Sequence, residues 1–208
     1  MGRKSLKELR QKEIIKEFYK IAKQSGLENA SIAKTAAAMS INASLIMHYF
    51  QTKEQLIYGL VEYILDKYLL IFSLDNDEKE DVRQRLEKAI DNIFSKKWNK
   101  LFDDGVSYSC YSLTFRDKSV RKKYKLLLDT LRKHLEQLIT ACCEEGLLDV
   151  EDPSGTADLI FILADGAYYY LSLTDSKEEY NSRLESYKKQ ALGLLKFNES
   201  AVSLRSSS

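Results

Sequence analysis

Residues 31–56 read Ser31-Ile-Ala-Lys-Thr-Ala-Ala-Ala-Met-Ser40-Ile-Asn42-Ala-Ser-Leu-Ile-Met-His-Tyr-Phe50-Gln-Thr-Lys-Glu-Gln-Leu56, and this stretch decides the fold. Ser31 precedes a short run dense in alanine, the strongest helix former, where a serine hydroxyl can accept from the exposed amides of a first turn. Asn42 stands in the same relation to the run from Ala43 to Phe50, in which Ile46 and Phe50 lie four apart and can face inward together. Thr52-Lys-Glu-Gln55 is a capping-box pattern that opens a long apolar-rich helix from Lys53 to about Phe72. Two helices of about two turns each, joined by three or four residues around Ser40, form a helix-turn-helix layout. Helices this short are marginal alone. Ala36, Ala37 and Ala38 let backbones approach closely, so the second helix can be propped across the first with its other face free.

Upstream, Leu9, Ile14, Phe18, Ile21 and Ala22 form the apolar stripe of an amphipathic helix that begins near Ser5 or Leu6 and is stopped by Gly26. Downstream, the acidic stretch from Asp75 to Asp81 reads as a turn and helix start, and Val82, Leu86, Ile90 and Ile93 continue at helical spacing toward Trp98. The segment from Asn99 to Phe115 reads as helical in part. Val120 to Leu147 predicts a long helix carrying Leu127, Leu131, Leu135, Leu138 and Cys142 and ending near Gly146. Asp152-Pro153 is a good helix start, because proline is tolerated at the first helical position. From Ala157 to Leu173 only Asp158 and Asp165 are charged, so this helix should be covered on several sides, with Asp165 paired or capping across a dimer. A last helix from Lys177 to Phe197 places Tyr180, Leu184, Tyr187 and Ala191 on one side. No strand pattern or internal repeat is evident. The expectation is an all-α chain of about nine helices: a three-helix helix-turn-helix domain over 1–52, a larger helical domain over 53–202, and a disordered tail over 203–208.

Composition agrees. The 208 residues are 44% apolar, 30% charged and 11% aromatic, with 8 Gly and a single Pro, which fits a folded helical chain and excludes a disordered or collagen-like one. Apolar runs such as Leu159 to Ala164 fall short of the roughly 18 residues a membrane span needs, and no apolar leader follows the basic start, so a cytoplasmic protein without membrane contact is expected. Three Cys, two of them adjacent (Cys142, Cys143), make no disulfide framework and no zinc spacing, and read as reduced, mostly buried thiols. No metal and no cofactor is expected.

Catalytic signals are as sparse. There are two His, no G-x-S-x-G and no Gly-rich phosphate loop. Ser31-x-x-Lys34 matches the S-x-x-K of serine acyl-enzymes, but S-D-N and K-T-G are missing and a helix cap explains Ser31. A hydrolase using Ser31 and Lys34 is therefore a distant third reading, and no catalytic residue is assigned. His134, beside the Leu127/Leu131/Leu138 stripe, reads as a surface or satisfied histidine.

The net charge of +1 conceals an asymmetry: residues 1–60 carry 10 Lys+Arg against 5 Asp+Glu, and residues 61–208 carry 22 against 26. A basic first part beside a mildly acidic remainder suggests that the first part meets a polyanion. With Ile46 and Phe50 inward, Ala43, Ser44 and Met47 project outward near the start of the third helix, where they can enter a major groove. The stretch from Ser31 to Leu56, ending in Tyr49-Phe-x-x-Lys53-x-x-Leu56, resembles the signature of the TetR family of bacterial transcription regulators over about residues 10–60. That resemblance implies that Tyr49 and Lys53 hold DNA phosphates, with His48 joining them. Lys53 also sits at a capped helix N-terminus, where unpaired amides favour an anion. Ala43, Ser44 and Met47 fall where the family reads base edges, and with Ser31 and Asn42 they complete the candidate DNA-contacting set. The chain departs from the family pattern at Ser40, which replaces the usual turn Gly, and at Ala43, Ser44 and Met47, which replace a frequent Lys, Gly and Tyr. Serine can hydrogen-bond a base or phosphate, whereas alanine and methionine offer apolar contact, for instance with thymine methyls.

Asp165-Gly166 in an apolar penultimate helix resembles that family's dimerisation region, more loosely its choline-sensing repressor branch. A two-fold dimer through the last two helices would span palindromic half-sites roughly 34 to 36 Å apart or more. Trp98, Phe102, Tyr108, Tyr111, Phe115, Tyr168 and Tyr169 crowd two segments; each ring alone reads as core, while the group suits an effector pocket for a mainly apolar or cationic small molecule. The expected function is a ligand-responsive repressor released from its operator by that effector. The alternative is a helical protein-interaction module whose helix-turn-helix no longer binds DNA, which the unusual Ala43 and Met47 keep open.

Overall fold

The computed structural model describes residues 3–73, 81–95 and 103–198. Along the chain these form α1 (Arg3–Ser25), α2 (Ile32–Ala38), α3 (Ala43–Tyr49), α4 (Lys53–Tyr68), a single turn α5 (Leu70–Ser73), α6 (Val82–Ile93), α7 (Asp104–Ser112) running into a 3-10 turn (Leu113–Phe115), α8 (Lys118–Glu144), α9 (Pro153–Leu171) and α10 (Lys177–Gly193). With α5 counted as a continuation of α4, these are the nine expected helices. Among the described residues no strand forms; one isolated antiparallel bridge pairs Leu148 with Phe197. None of the described helices is long and apolar enough to cross a membrane. The expected turn over 75–80 and the tail 203–208 lie outside the described residues.

Helix boundaries follow from caps. Asp81, Asp103, Asp152 and Ser176 each precede a helix and accept from the amide three residues on. Asp117 does the same work for α8, its Oδ1 accepting from the Ser119 amide at 2.7 Å and the Val120 amide at 3.0 Å. Gly146 ends α8 at φ +70°, with its own amide on the Cys143 carbonyl and that of Leu147 on Cys142, the paired bonds of a Schellman ending.

The described residues fall into two compact units. The first holds 3–68 and 103–125, the second 69–95 and 126–198, so α8 gives its first two turns to one and the rest to the other. The helix-turn-helix expected over 1–52 lies in the first unit, packed with α4 and α7. Its core is Ile14, Phe18, Ile46, Leu56, Leu60 and Cys110, all fully buried. Gly59 marks the close crossing of α4 with α1: a Cβ there would stand 2.7 Å from Ile15 Cδ1 and 3.3 Å from a Phe50 ring carbon. The Tyr19 hydroxyl accepts from the Asp103 amide at 2.8 Å, and the Tyr58 hydroxyl donates to Asp117.

The second unit is built on Leu86, Ile90, Leu131, Leu135, Ile139, Ile160 and Leu195. Lys188 on α10 pairs with Asp91 on α6 at 2.8 Å. Cys142 is buried, which pushes its thiol up to about 12, as expected of an inert core thiol. Asp165 finds its partner within the chain. Arg132 on α8 donates through Nε to Asp158 at 2.8 Å and through Nη2 to Asp165 at 3.4 Å, while its guanidinium lies 5.2 Å over the Phe161 ring. Among the described residues of one chain, α9 is covered on one side only. Ala157, Ile160, Phe161, Ala164, Ala167 and Leu171 are buried, whereas Leu159, Ile162, Tyr169 and Leu173 stand exposed, with Gly166 in the same row.

Candidate nucleic-acid interface

The reading head is assembled from short-range caps. Ser31 Oγ accepts from the Lys34 amide at 3.2 Å, and the buried Thr35 hydroxyl donates to the Ser31 carbonyl at 2.8 Å, so α2 starts at the residue the sequence marks. The helix ends in a Schellman pair: the Ser40 amide meets the Ala37 carbonyl at 3.1 Å and the Ile41 amide the Ala36 carbonyl at 3.0 Å. Ser40 accordingly occupies the left-handed region at φ +53°, a conformation that glycine adopts without strain and serine does not. Asn42 Oδ1 then accepts from both the Ser44 amide and the Ser44 hydroxyl, each at 3.0 Å, which starts α3 immediately after the turn.

On α3, Ile46 is fully buried and Phe50, one residue past the helix, nearly so. The opposite face is open: Ser44 and His48 are exposed, Met47 is 46% exposed, and Ala43 is half-buried beside them. The His48 and Tyr49 rings meet edge-on at 5.2 Å. Leu45 is also exposed, a fourth outward residue that the i, i+4 reading of Ile46 and Phe50 leaves unassigned although it stands next to Ser44. Lys34 on α2 is likewise exposed, a cation near the reading helix that the sequence pattern ties only to the Ser31-x-x-Lys34 match.

At the start of α4 the capping box is shifted. Thr52 Oγ1 accepts from the Gln55 amide at 3.3 Å, but the Gln55 side chain takes the Gln51 amide at 2.7 Å rather than that of Thr52. Lys53 carries a contact that no sequence spacing announces: its Nζ donates to the Glu28 carbonyl at 2.6 Å, tying the start of α4 to the link between α1 and α2. An ammonium has three protons, so two remain for a phosphate.

Of the aromatic set, Trp98 and Phe102 lie outside the described residues. Tyr108, Tyr111 and Phe115 belong to the first unit. The Tyr111 ring meets Phe115 and the buried Tyr124 edge-on, each at 5.7 Å, and Phe115 is 70% exposed. Tyr168 and Tyr169 belong to the second unit. The Tyr168 hydroxyl donates to the Ile93 carbonyl at 2.7 Å, occupying an open carbonyl at the end of α6, and Tyr169 is 65% exposed. Among the described residues no group of His, Cys, Asp or Glu is placed to hold a metal ion.

The comparisons with known proteins agree with this architecture. The chain resembles a TetR transcription regulator from Haloarcula marismortui with a TM-score of 0.76 at 18% identity, over 92% of this chain and 100% of that one. A TetR regulator from Chloroflexus aurantiacus gives 0.72 at 16%, covering 93% and 98%. A transcriptional regulator from Saccharomonospora viridis, solved in complex with choline, gives 0.68 at 14%, covering 88% and 95%. At these identities the likeness is one of fold. No curated protein matches the chain by sequence. A family described as the tetracyclin repressor-like C-terminal domain matches residues 81–197, more than half of the chain. The chain therefore belongs to the TetR family of DNA-binding, ligand-responsive transcription regulators, which are not enzymes.

Proposed function

We propose that the protein is a homodimeric repressor that places α3 of each protomer in successive major grooves of a palindromic operator and leaves it when a small effector binds. The observation that carries this reading is the two-sidedness of α3: Ile46 and Phe50 are buried while Ser44, Leu45, Met47 and His48 face outward from a helix fixed at both ends by caps. Ala43, Ser44 and Met47 read base edges, and Tyr49, His48 and Lys53 hold phosphates, with the α2 cap at Ser31 and the α3 cap at Asn42 setting their position. About four phosphate contacts per protomer give a slope of log affinity against log salt near −7.

Dimerisation runs through α9 and α10. On α9, Leu159, Ile162, Gly166 and Tyr169 alternate at spacings of three and four, the seam of a helix that packs on another, and Leu173 continues the row in the turn that follows. The effector is mainly apolar or cationic; the choline complex of the Saccharomonospora regulator supports the cationic form of this idea. Binding works by favouring a protomer spacing that no longer matches the grooves.

A second reading is favoured by one feature of the same helix, the exposure of Leu45 and Met47, which would suit a protein partner as well as thymine methyls. Binding to genomic DNA fragments over a salt series separates the two. A palindromic site with a steep slope establishes the repressor; a flat response at all fragments leaves the interaction module.

A further inference from the structure

α1 and α4 lie side by side in the first unit, and a groove of about 200 Å³ follows their seam. Ile15 and Phe50 line its apolar part, Tyr63 forms an aromatic wall, and Glu8, Glu62 and Asp66 stand along it against one lysine, Lys12. Glu62 is engaged by Lys123, whereas Glu8 and Asp66 make no ion pair among the described residues. Tyr63 also belongs to a second feature beside the groove: its ring and that of Tyr19, which does not line the groove, stand 6.0 Å apart at 58° and share an ammonium, with Lys67 Nζ 4.4 Å from the Tyr63 centroid and 5.2 Å from that of Tyr19. Both distances lie inside the roughly 6 Å within which a cation is held by a ring face. The Tyr19 ring is fixed from behind, because its hydroxyl holds the Asp103 amide.

We propose that the Tyr19/Tyr63 pair, together with the groove that Tyr63 shares, is a binding site for a small organic ammonium ion, with Lys67 as the built-in occupant of the two rings. The chemistry is on display: two tyrosine faces already hold an ammonium, the neighbouring groove supplies apolar surface for the substituents, and Glu8 and Asp66 along it outnumber Lys12 once Lys123 has engaged Glu62. The volume is below the roughly 300 Å³ at which drug-sized pockets begin, so the ligand is small. A tethered ammonium competes at the high effective concentration of a group on the same helix, so the apparent affinity for a free cation is reduced by the fraction of time Lys67 occupies the rings. Phe50, which follows α3 directly, lines the groove. This site is in the first unit and shares no residue with the aromatic set read from the sequence.

The test uses the full chain without DNA, so that its outcome and that of the operator experiment are separate. Phenyltrimethylammonium is titrated by calorimetry and by the amide signals of α1 and α4, with tert-butylbenzene as the uncharged shape control. Millimolar binding is expected for the cation and at least tenfold weaker binding for the control. Lys67→Met, which keeps the stem and removes the competitor, should tighten the cation at least fivefold. Tyr63→Leu, which keeps the apolar volume, should weaken it at least tenfold, with far-UV dichroism and melting confirming that both variants are folded. An affinity unmoved by Lys67→Met, equal binding of the neutral control, or no binding to either wild type or Lys67→Met would overturn the proposal.

Discussion

The Tyr58 hydroxyl donates to the Asp117 carboxylate across 59 positions of sequence, joining α4 to the residue that caps α8. The bond holds the Asp117 carboxyl below the usual carboxylate range, helped by the Val120 and Ser119 amides, and pushes the Tyr58 phenol up. A carboxyl depressed by folding contributes stability that is complete above its unfolded value of roughly 3.9 and is lost as pH falls through the lower folded one. The raised phenol contributes below about pH 10 and fades as pH rises through its folded value. Tyr58→Phe should therefore melt below wild type at pH 7, with the gap closing in melts taken below about pH 3. A gap that is constant from pH 7 to pH 2.5 would mean that the charge on Asp117 is irrelevant.

Ser40 is the one strained position in the reading head, at φ +53° between the Schellman pair and the Asn42 cap. A non-glycine residue there costs roughly 1–2 kcal/mol, and glycine returns about 0.5–1 of that through the entropy of the unfolded chain. Ser40→Gly should raise stability to chemical denaturation by about 0.5 kcal/mol, and Ser40→Val, β-branched at the same φ, should lower it by more than 1. The departure from glycine at the turn is thus a stability cost rather than a loss of the fold.

Lys53 ties α4 to the link after α1, and on the proposed reading it holds a DNA phosphate as well. Lys53→Ala should weaken binding almost equally at all sequences and shallow the salt slope by about 1 per protomer. Because its Nζ also holds the Glu28 carbonyl, the same change should cost about 0.5–1 kcal/mol of stability, read by denaturation without DNA. A normal slope together with the stability loss would reduce Lys53 to the second role.

Ser44 behaves differently. Its hydroxyl is donated to Asn42 Oδ1, leaving oxygen lone pairs to accept from a base donor, and Ser44→Ala keeps the amide that Asn42 caps. The variant should shift the preferred operator bases, measured by selection from a random pool, while losing only a few tenths of a kcal/mol of stability. An unchanged preference removes Ser44 from the readout.

What was legible in the sequence depended on range. The start at Asp152-Pro153 is readable from the proline, and Ser31 and Asn42 are readable as caps because a side-chain oxygen and the amide it satisfies are two or three residues apart. Ile46 and Phe50 were readable as one buried face for the same reason. The Asp103 and Asp117 caps carry no such signal, because Gly105 and several serines blur the apolar period that would frame them. The Lys53 contact was beyond reach, since a backbone carbonyl such as that of Glu28 carries no residue identity. Tyr168 shows the limit from the other side: a tyrosine in an apolar helix suits a pocket, yet its hydroxyl is spent on the Ile93 carbonyl.

The exposed row on α9 yields the sharpest test of assembly. A Cβ at Gly166 would meet nothing within 4 Å in one chain, so Gly166→Ala should stabilise an isolated protomer by up to about 1 kcal/mol through helix propensity. Packed against a second α9, the same position is where backbones approach, and a bulky residue would hold them apart. Ile162 is 54% exposed in the single chain, so Ile162→Asp should leave the protomer folded by far-UV dichroism while burying a charge in the dimer. Sedimentation should then show monomers for Ile162→Asp and for Gly166→Phe, dimers for wild type, and loss of operator binding in step with dissociation, because one head alone contacts too few phosphates. If both variants sediment as dimers, the protomers meet through another face.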